Sequence, residues 1–380
     1  MGLSEVLARL ALRATQVLVV EVPGQWATRM ELEQQLLRRG WRPAWTPADA
    51  DVLAVCGVPG PELADLVDRL WEQMPGPRVR TDITSPTTVS SALDDTATRL
   101  LDTPHHRMDA QKRAQKPQIS DGMEHGGHGG MDHGEMDHGE MDHGGHGGMD
   151  HSGHGGMDMA PGGIALAGSG EDRDGLEMDV LHLPLGPVLP FWPAGLVLRC
   201  SLQGDVVVDA EASVVDGAGA GGPGPGPAPA AVVWCDQVVA LLALAGAEDA
   251  AAGARRTRDV LLHGDRGAAR AAAERLHRTV RRSRLLRWSL RGVLPLGPSA
   301  LEHHGLPRHC RGDAHDRLLS RVERIRAEAG GAVPVPVEGG AVPWAVLPEL
   351  VTGLELGSVR LAVASLDLQP HPAVQAVGHG

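Results

Sequence analysis

The 380-residue sequence contains no tyrosine, one phenylalanine and only four cysteines. The cysteines, Cys56, Cys200, Cys235 and Cys310, are isolated and form no CxxC or closely spaced pair. This spacing argues against a disulfide scaffold, a zinc ribbon and an iron–sulfur motif. Because Tyr is absent and Phe nearly so, base stacking is not expected, and we predict no nucleic-acid partner.

Long apolar runs are also missing. No uninterrupted stretch reaches the roughly 18 apolar residues of a membrane span. The segment Met1–Val20 is broken by Arg9 and Arg13 and is followed by no small-residue cleavage site. These features argue against a secretory signal, so we predict a cytoplasmic protein.

The most distinctive segment is the tract 121–159, which repeats Met-Asp-His-Gly-Glu and Gly-His-Gly-Gly-Met-Asp. It holds eight His, seven Met, six Asp and three Glu without a Lys or Arg, and so carries nine of the thirteen net negative charges. Such a composition cannot bury a core and predicts a disordered linker, which we place at residues 96–175. Thioether and imidazole groups suit copper or nickel; the alternative is a solvated spacer that binds metals only adventitiously.

Twelve side chains of this tract are candidate metal ligands. They are His125, His128, Met131, His133, Met136, His138, Met141, His143, His146, Met149, His151 and His154.

Residues 1–95 alternate strand and helix patterns. Short, nearly continuous apolar runs at Gln16–Val22 and Ala50–Cys56 are typical of buried parallel strands, and Arg78–Ile83 can form a third strand. Helical spacing of apolar residues marks Thr28–Arg39 and Pro61–Gln73 between them. This order predicts a small α/β sandwich with a parallel sheet, followed by a polar stretch from Thr84 that we expect to be mostly disordered.

Residues 176–380 read as a mainly α domain with a small β hairpin at its start. Glu177–Leu183 and Gly195–Glu211 are strand-like, and the latter bends at Gln203-Gly204. A Gly/Pro/Ala insert covers Gly217–Pro229. Helix patterns cover Ala231–Ala245, Glu248–Leu262, Gly267–Leu290 and Gly312–Ala329, and an apolar segment covers Val342–Ser365.

Three segments of this second half resemble the quinone-site subunit of NADH-quinone oxidoreductase (respiratory complex I) and the related large subunit of nickel–iron hydrogenases, here called the large-subunit family. Leu183–Glu211 is similar to the family's Gly-Pro-Gln-His-Pro segment followed by a hairpin. Gly297–Glu328 is similar to its Gly-Asp-Ala-Tyr-x-Arg and Arg-x-x-Glu-Met-Arg region, and Leu347–Asp367 to its terminal Gly-Ser-Leu-Asp.

The first half resembles the neighbouring complex I component that is similar to the hydrogenase small subunit, here called the small-subunit family. The segments that carry this resemblance are ADADVLAVCG and ELADLVDRLWEQMPGPRVR. The chain as a whole therefore looks like a fusion of one unit from each family.

The chain departs from both families at their redox ligands. Ala27 and Thr28 stand where the small-subunit family has a Cys pair, and TSPTTVSS after the third strand has no Cys. A [4Fe–4S] cluster needs four thiolates, which Cys56 alone cannot supply. Leu189 and Pro193 replace two His of the large-subunit family, the quinone-pocket Tyr is missing, and the family loop between Arg311 and Gly312 is shortened.

The resemblance and its departures together predict a degenerate, cluster-less protein. Its expected role is that of a non-catalytic accessory or assembly component of a respiratory or hydrogenase-type complex, with the subunits of that complex as partners and with no retained cofactor. Peripheral association with the inner face of the cell membrane would follow from such partners. Two alternatives are a copper- or nickel-handling protein that uses the tract, and a residual quinone- or NAD-linked component of an oxidoreductase.

Four smaller features have both a plain and a functional interpretation. Cys56 is read as a core residue rather than a reactive thiol, and Gly57, Gly60 and Pro61 resemble a phosphate-cradling turn only loosely. His303, His304, His309, His315 and Cys310 are read as a surface loop rather than a metal site. An arginine-rich helical face is read as solvated, or as docking on an acidic partner or a phospholipid surface; its members are Arg255, Arg256, Arg258, Arg281, Arg282, Arg284, Arg287 and Arg291.

Overall fold

The computed structural model of the protein describes residues 11–115, 168–171, 177–216, 229–262, 264–332 and 342–368. The repeat tract, its twelve candidate ligands and nearly all of the Gly217–Pro229 insert lie outside these ranges. The linker and metal assignments made there therefore stay predictions.

The first domain is built on a parallel sheet with the strand order β2-β1-β3-β4. Its strands are β1 Gln16–Glu21, β2 Arg42–Pro43, β3 Val52–Cys56 and β4 Val79–Ile83. All five residues of β3 are buried, as expected for a strand covered by helices on both faces. The predicted α/β class with a parallel sheet is confirmed, and β2 is a short edge strand that the sequence pattern does not reveal.

Helices cover both faces of this sheet. They are α1 Trp26–Arg39, α2 Pro61–Gln73, α3 Val89–Leu100 and α4 Thr103–Gln115. On one face, α1 and α3 pack on the side chains of Val17, Val52 and Ala54. On the other face, α2 packs on the alternate positions, including Leu53 and Val55. The period-two alternation of the strands therefore divides the core into two layers.

The prediction of disorder from Thr84 onward is wrong as far as Gln115. Helix α3 buries Val89, Leu93 and Thr96, whose spacing places them on one helical face against the sheet. Helix α4 is polar, and Asp109 on it lies 3.5 Å from the buried Arg78 guanidinium. The first domain thus extends beyond the predicted boundary at residue 95.

The second domain opens with an antiparallel sheet in the order β5-β6-β7-β8, which is larger than the predicted hairpin. Its strands are β5 Gly168–Glu171, β6 Glu177–Leu185, β7 Leu196–Gln203 and β8 Val206–Val214. The predicted turn at Gln203-Gly204 is confirmed, since Gln203 pairs with Val206 and Gly204 has a φ of +61°. Strand β5 has the sequence Gly-Ser-Gly-Glu, which carries no apolar alternation.

Helices make up the rest of the second domain, as predicted. Their bounds are α5 Ala230–Leu244, α6 Glu248–Leu262, α7 Arg266–Arg282, α8 Arg284–Leu290, α9 Pro298–His303, α10 Ala314–Ala329, α11 Leu347–Val351 and α12 Leu356–Ser365. The predicted helix Gly267–Leu290 is in fact two helices. It breaks at Ser283, whose hydroxyl accepts a hydrogen bond from the Leu286 amide at 3.2 Å and caps α8.

One continuous hydrophobic core joins β6–β8 to the helices of this domain. Helix α5 lies at its centre and packs against α6, α10 and α12. Among the described residues, none of the helices combines the length and the apolar character that crossing a bilayer requires.

Candidate functional site

The strand order of the first domain predicts a ligand site at the carboxyl ends of β1 and β3. The chain passes from β1 to β2 on one side and places β3 on the other, so the sheet order reverses between β1 and β3. Open α/β sheets bind ligands in the crevice at the carboxyl ends of strands at such a point. Glu21 and Cys56 are cross-strand partners at the last positions of these two strands.

This crevice is filled by charged side chains from both domains. We call it the interdomain ion-pair cluster, and its members are Glu21, Arg29, Glu33, Asp236, Arg258 and Asp259. Arg29 on α1 pairs with Glu21, with Glu33 at 2.7 Å and with Asp236 of the second domain at 2.6 Å.

Arg258 on α6 completes the cluster from the second domain. Its side chain is fully buried and lies 2.8 Å from Glu33, 2.7 Å from Asp236 and 3.1 Å from Asp259. Glu33 and Asp236 each contact both arginines, so the four side chains form a closed ring of ion pairs. The two domains are therefore locked by charges that satisfy one another.

Within the cluster, the pKa values of Glu21 and Glu33 are shifted in opposite directions. Burial raises the pKa of Glu21 despite the neighbouring Arg29. Burial also acts to raise the pKa of Glu33, but Arg29 and Arg258 outweigh it and lower this pKa to about 2. A carboxyl group whose pKa is lower in the folded state than in the unfolded state stabilises the fold when the pH lies above the unfolded-state pKa. The stabilisation from Glu33 is therefore lost as the pH falls from about 4.5 to about 2.

A second ligand position of the first domain, the amino end of α2, is also filled. The sequence suggested a loose phosphate turn there. The carboxylate of Asp216, which follows β8, accepts hydrogen bonds from the Glu62 amide at 2.8 Å and the Leu63 amide at 3.2 Å. A Cβ on Gly60 would collide with the Asp216 carboxylate. The second domain thus supplies the anion that a helix amino terminus favours.

The cysteines have the surroundings of core residues. All four are buried free thiols. Burial raises the pKa of Cys56 and Cys235, and it raises the pKa of Cys200 and of Cys310 to about 11. These groups are therefore protonated at neutral pH and are poor nucleophiles or metal ligands.

The histidines near Cys310 do not converge on one centre. His303 and His304 stack edge to face at the end of α9, and His304 Nδ1 lies 3.0 Å from the Glu349 carboxylate. His315 lies in the first turn of α10 beside two aspartates, which already cap that helix reciprocally. The ring of His309 is mostly buried and lies elsewhere.

The arginine-rich face predicted from the sequence separates into two environments. Arg258 is not on a solvated face, because it is fully buried in the interdomain ion-pair cluster. Around α8, by contrast, the arginines are exposed together with Leu285 and Trp288, whose exposed fractions are 60% and 80%. We call this surface the α8 patch; it comprises Arg281, Arg282, Arg284, Leu285, Arg287, Trp288 and Arg291.

Comparison of the chain with protein-family models, with curated proteins and with solved structures finds no match. The residues that fill the crevice were missed by sequence reasoning. Asp236 and Asp216 carry no motif, and the single available signal was an acidic residue within the otherwise apolar start of α5.

Proposed function

We propose that this protein is a non-catalytic accessory or assembly component of a respiratory NADH-quinone oxidoreductase or a hydrogenase-type complex. It would derive from a fusion of units similar to the small-subunit and large-subunit families, and it would retain their packing surfaces after losing their redox ligands. The observation that carries the proposal is the filled crevice. Where an α/β sheet of this order offers a ligand site, the chain places a self-satisfied ring of ion pairs between its own two domains.

Two further observations support this reading. In the first domain the one cysteine, Cys56, has no exposed surface. Leu189, which stands at the position of a family His, packs against the hydrophobic core of the second domain. A side chain that could donate to a quinone is thus replaced by one that contributes to packing.

The proposal is tested by affinity purification of the full chain, tagged, from membranes of its native cells. We expect mass spectrometry to recover subunits of a respiratory or hydrogenase-type complex above the level of a tag-only control. The purified chain should neither reduce a quinone with NADH nor show the visible absorbance of an iron–sulfur cluster. Quinone reduction would contradict the proposal and favour the residual-oxidoreductase alternative.

We further propose that the protein lies on the cytoplasmic face of the membrane through the α8 patch. No Asp or Glu occurs between Glu274 and Glu302, so no acidic residue of this segment offsets the charge of the five patch arginines. Trp288 and Leu285 project from the same surface. Exposed tryptophan beside arginine is the combination that binds anionic phospholipid headgroups, with the ring at the interface and the cations against the lipid charge.

A second function, metal handling by the repeat tract, is carried by the composition of residues 121–159. We expect calorimetry of the full chain with Cu(I) and with Ni(II) to show several sites tighter than roughly micromolar for at least one of these ions. A chain lacking residues 121–159 should lose these sites and keep its partner association. Binding that is weaker than this range, or that survives the deletion, would remove the proposal.

A further inference from the structure

An open cleft of about 450 Å³ lies where the turn Arg308–Cys310 meets α10. Its lining includes Arg308, His309, Arg311 and Arg324, with Asp316 as the acidic member. The lining residues of the cleft all belong to the second domain, and none of them is a member of the interdomain ion-pair cluster.

The arginines of the cleft are not paired with carboxylates in the described part of the chain. Within the described ranges, Arg308, Arg311 and Arg324 form no ion pair. Arg324 instead lies over the ring of Trp234, with its guanidinium carbon 5.7 Å from the ring centroid. Asp316 is engaged in the reciprocal cap of α10 and accepts a hydrogen bond from the Asp313 amide. The cleft is therefore a concave surface with excess positive charge.

Two more arginines lie beneath this surface. Arg317 and Arg321 on α10 are 2% and 5% exposed, and neither hydrogen-bonds to a carboxylate of the residues that the structure describes. Arg317 donates to backbone carbonyls, including that of Gly312, and to the Ser365 hydroxyl. Burial and the charge of Arg321 lower the pKa of Arg317 to about 10. Asp313, Asp316 and Asp367 offset part of the charge of these two arginines, and the remainder adds to the positive potential at the cleft.

His309 provides an independent sign of a missing ligand. Its side chain is 8% exposed, and both ring nitrogens are buried without a hydrogen-bond partner in the described part of the chain. The nearest carboxylate oxygen, on Asp367, is 3.8 Å from Nε2, which is too far for a hydrogen bond. Buried polar groups without a partner are rare. His309 lines the cleft, but its nitrogens lie below the surface, so the ring must turn before a nitrogen can reach a bound ligand.

We propose that this cleft binds an organic phosphate, with the phosphoryl group held by Arg311 and Arg324 and hydrogen-bonded by His309 once its ring turns towards the ligand. Guanidinium groups bind phosphate oxygens through paired N–H donors, and the five donors of each arginine suit a dianion. The cleft is larger than inorganic phosphate requires, so a small organic group can accompany the phosphoryl group. This site is independent of the proposed accessory role.

Calorimetry of the full chain with glycerol 3-phosphate and with inorganic phosphate tests the site. We expect saturable, salt-sensitive binding of glycerol 3-phosphate that is at least tenfold weaker in Arg311→Gln and in Arg324→Gln. Arg326→Gln is the matched control, because Arg326 lies on the same helix outside the cleft and is paired with Glu323. This control should bind as the parent chain does.

Several outcomes would overturn the proposal. Binding to the parent chain that does not saturate in the millimolar range would do so, as would equal weakening by Arg326→Gln. Tighter binding of inorganic phosphate than of the ester would overturn the organic-phosphate assignment. His309→Phe gives a second readout: if the ring donates to the ligand, this variant should fold with an unchanged midpoint of unfolding or a higher one, yet bind more weakly. Unchanged binding would exclude the role of His309.

Discussion

Replacing Arg258 by methionine is expected to lower the free energy of unfolding by about 3–5 kcal/mol, the usual cost of removing one partner from a buried ion pair. The substitution leaves Glu33 and Asp236 with Arg29 as their remaining strong partner, and it leaves Asp259 without its guanidinium contact. Methionine keeps most of the length of the side chain, so the decrease in the free energy of unfolding comes from the missing charge and not from a large cavity. Urea unfolding followed by far-ultraviolet circular dichroism measures it.

Arg255→Met is the matched control for this experiment. Arg255 lies on the same helix, 3.9 Å from Glu33, but its side chain is partly exposed, so its removal should cost less than about 1 kcal/mol. The combination of Arg258→Met with Glu33→Gln and Asp236→Asn should recover part of the loss, because it removes the uncompensated carboxylates together with their partner. Equal effects of the two arginine substitutions would show that the interdomain ion-pair cluster does not lock the domains.

Charge reversal in the α8 patch should weaken association with anionic vesicles by roughly a hundredfold. In the double variant Arg284→Glu/Leu285→Ser, one cation becomes an anion and one apolar side chain is lost. Each arginine near an anionic bilayer contributes about 1 kcal/mol, so the reversal alone removes about 2 kcal/mol. The loss of an interfacial leucine adds about 1 kcal/mol. Trp288→Ser should weaken association as well, since it removes the most exposed aromatic ring of the patch.

Sedimentation with phosphatidylglycerol-containing vesicles, against pure phosphatidylcholine vesicles, measures this association. The chain offers a closely matched control in Leu37→Ser/Arg38→Glu, which makes the same two changes at exposed positions of the first domain. This control should bind like the parent chain. A different result is that the parent chain fails to sediment with anionic vesicles while the patch variant no longer co-purifies with the subunits recovered by affinity purification. That result would show that the patch binds an acidic protein surface instead of lipid.

The sequence predicted the parts of the fold that bury continuous apolar runs. Strands β1 and β3 follow from such runs, because burial on both faces of a parallel sheet leaves a strong pattern. Helices α1 and α2 follow from the helical spacing of their apolar residues. Strand β2 is an Arg-Pro pair and β5 is Gly-Ser-Gly-Glu, so neither has side chains that report burial. Helix α4 is held partly by the contact of Asp109 with Arg78, and the local sequence pattern does not predict this contact.

The residues of the crevice could not be predicted for a different reason. Arg29 and Asp236 are 207 residues apart in the chain, and each alone is an ordinary charged residue of a helix. Arg258 has arginine neighbours that are more exposed, and the sequence offers no means of separating it from them. Only the packing of the two domains decides which of these charges are buried.

The Asp216 carboxylate, hydrogen-bonded to the start of α2, competes with free anions for this helix end. Because this carboxylate is tethered to the protein, it presents itself to the Glu62 and Leu63 amides at an effective concentration of about millimolar or above. A diffusing nucleotide or metabolite phosphate would have to exceed that level, or bind far more tightly, to displace it. This helix end therefore stays occupied by Asp216 when the concentrations of free nucleotides and metabolite phosphates change.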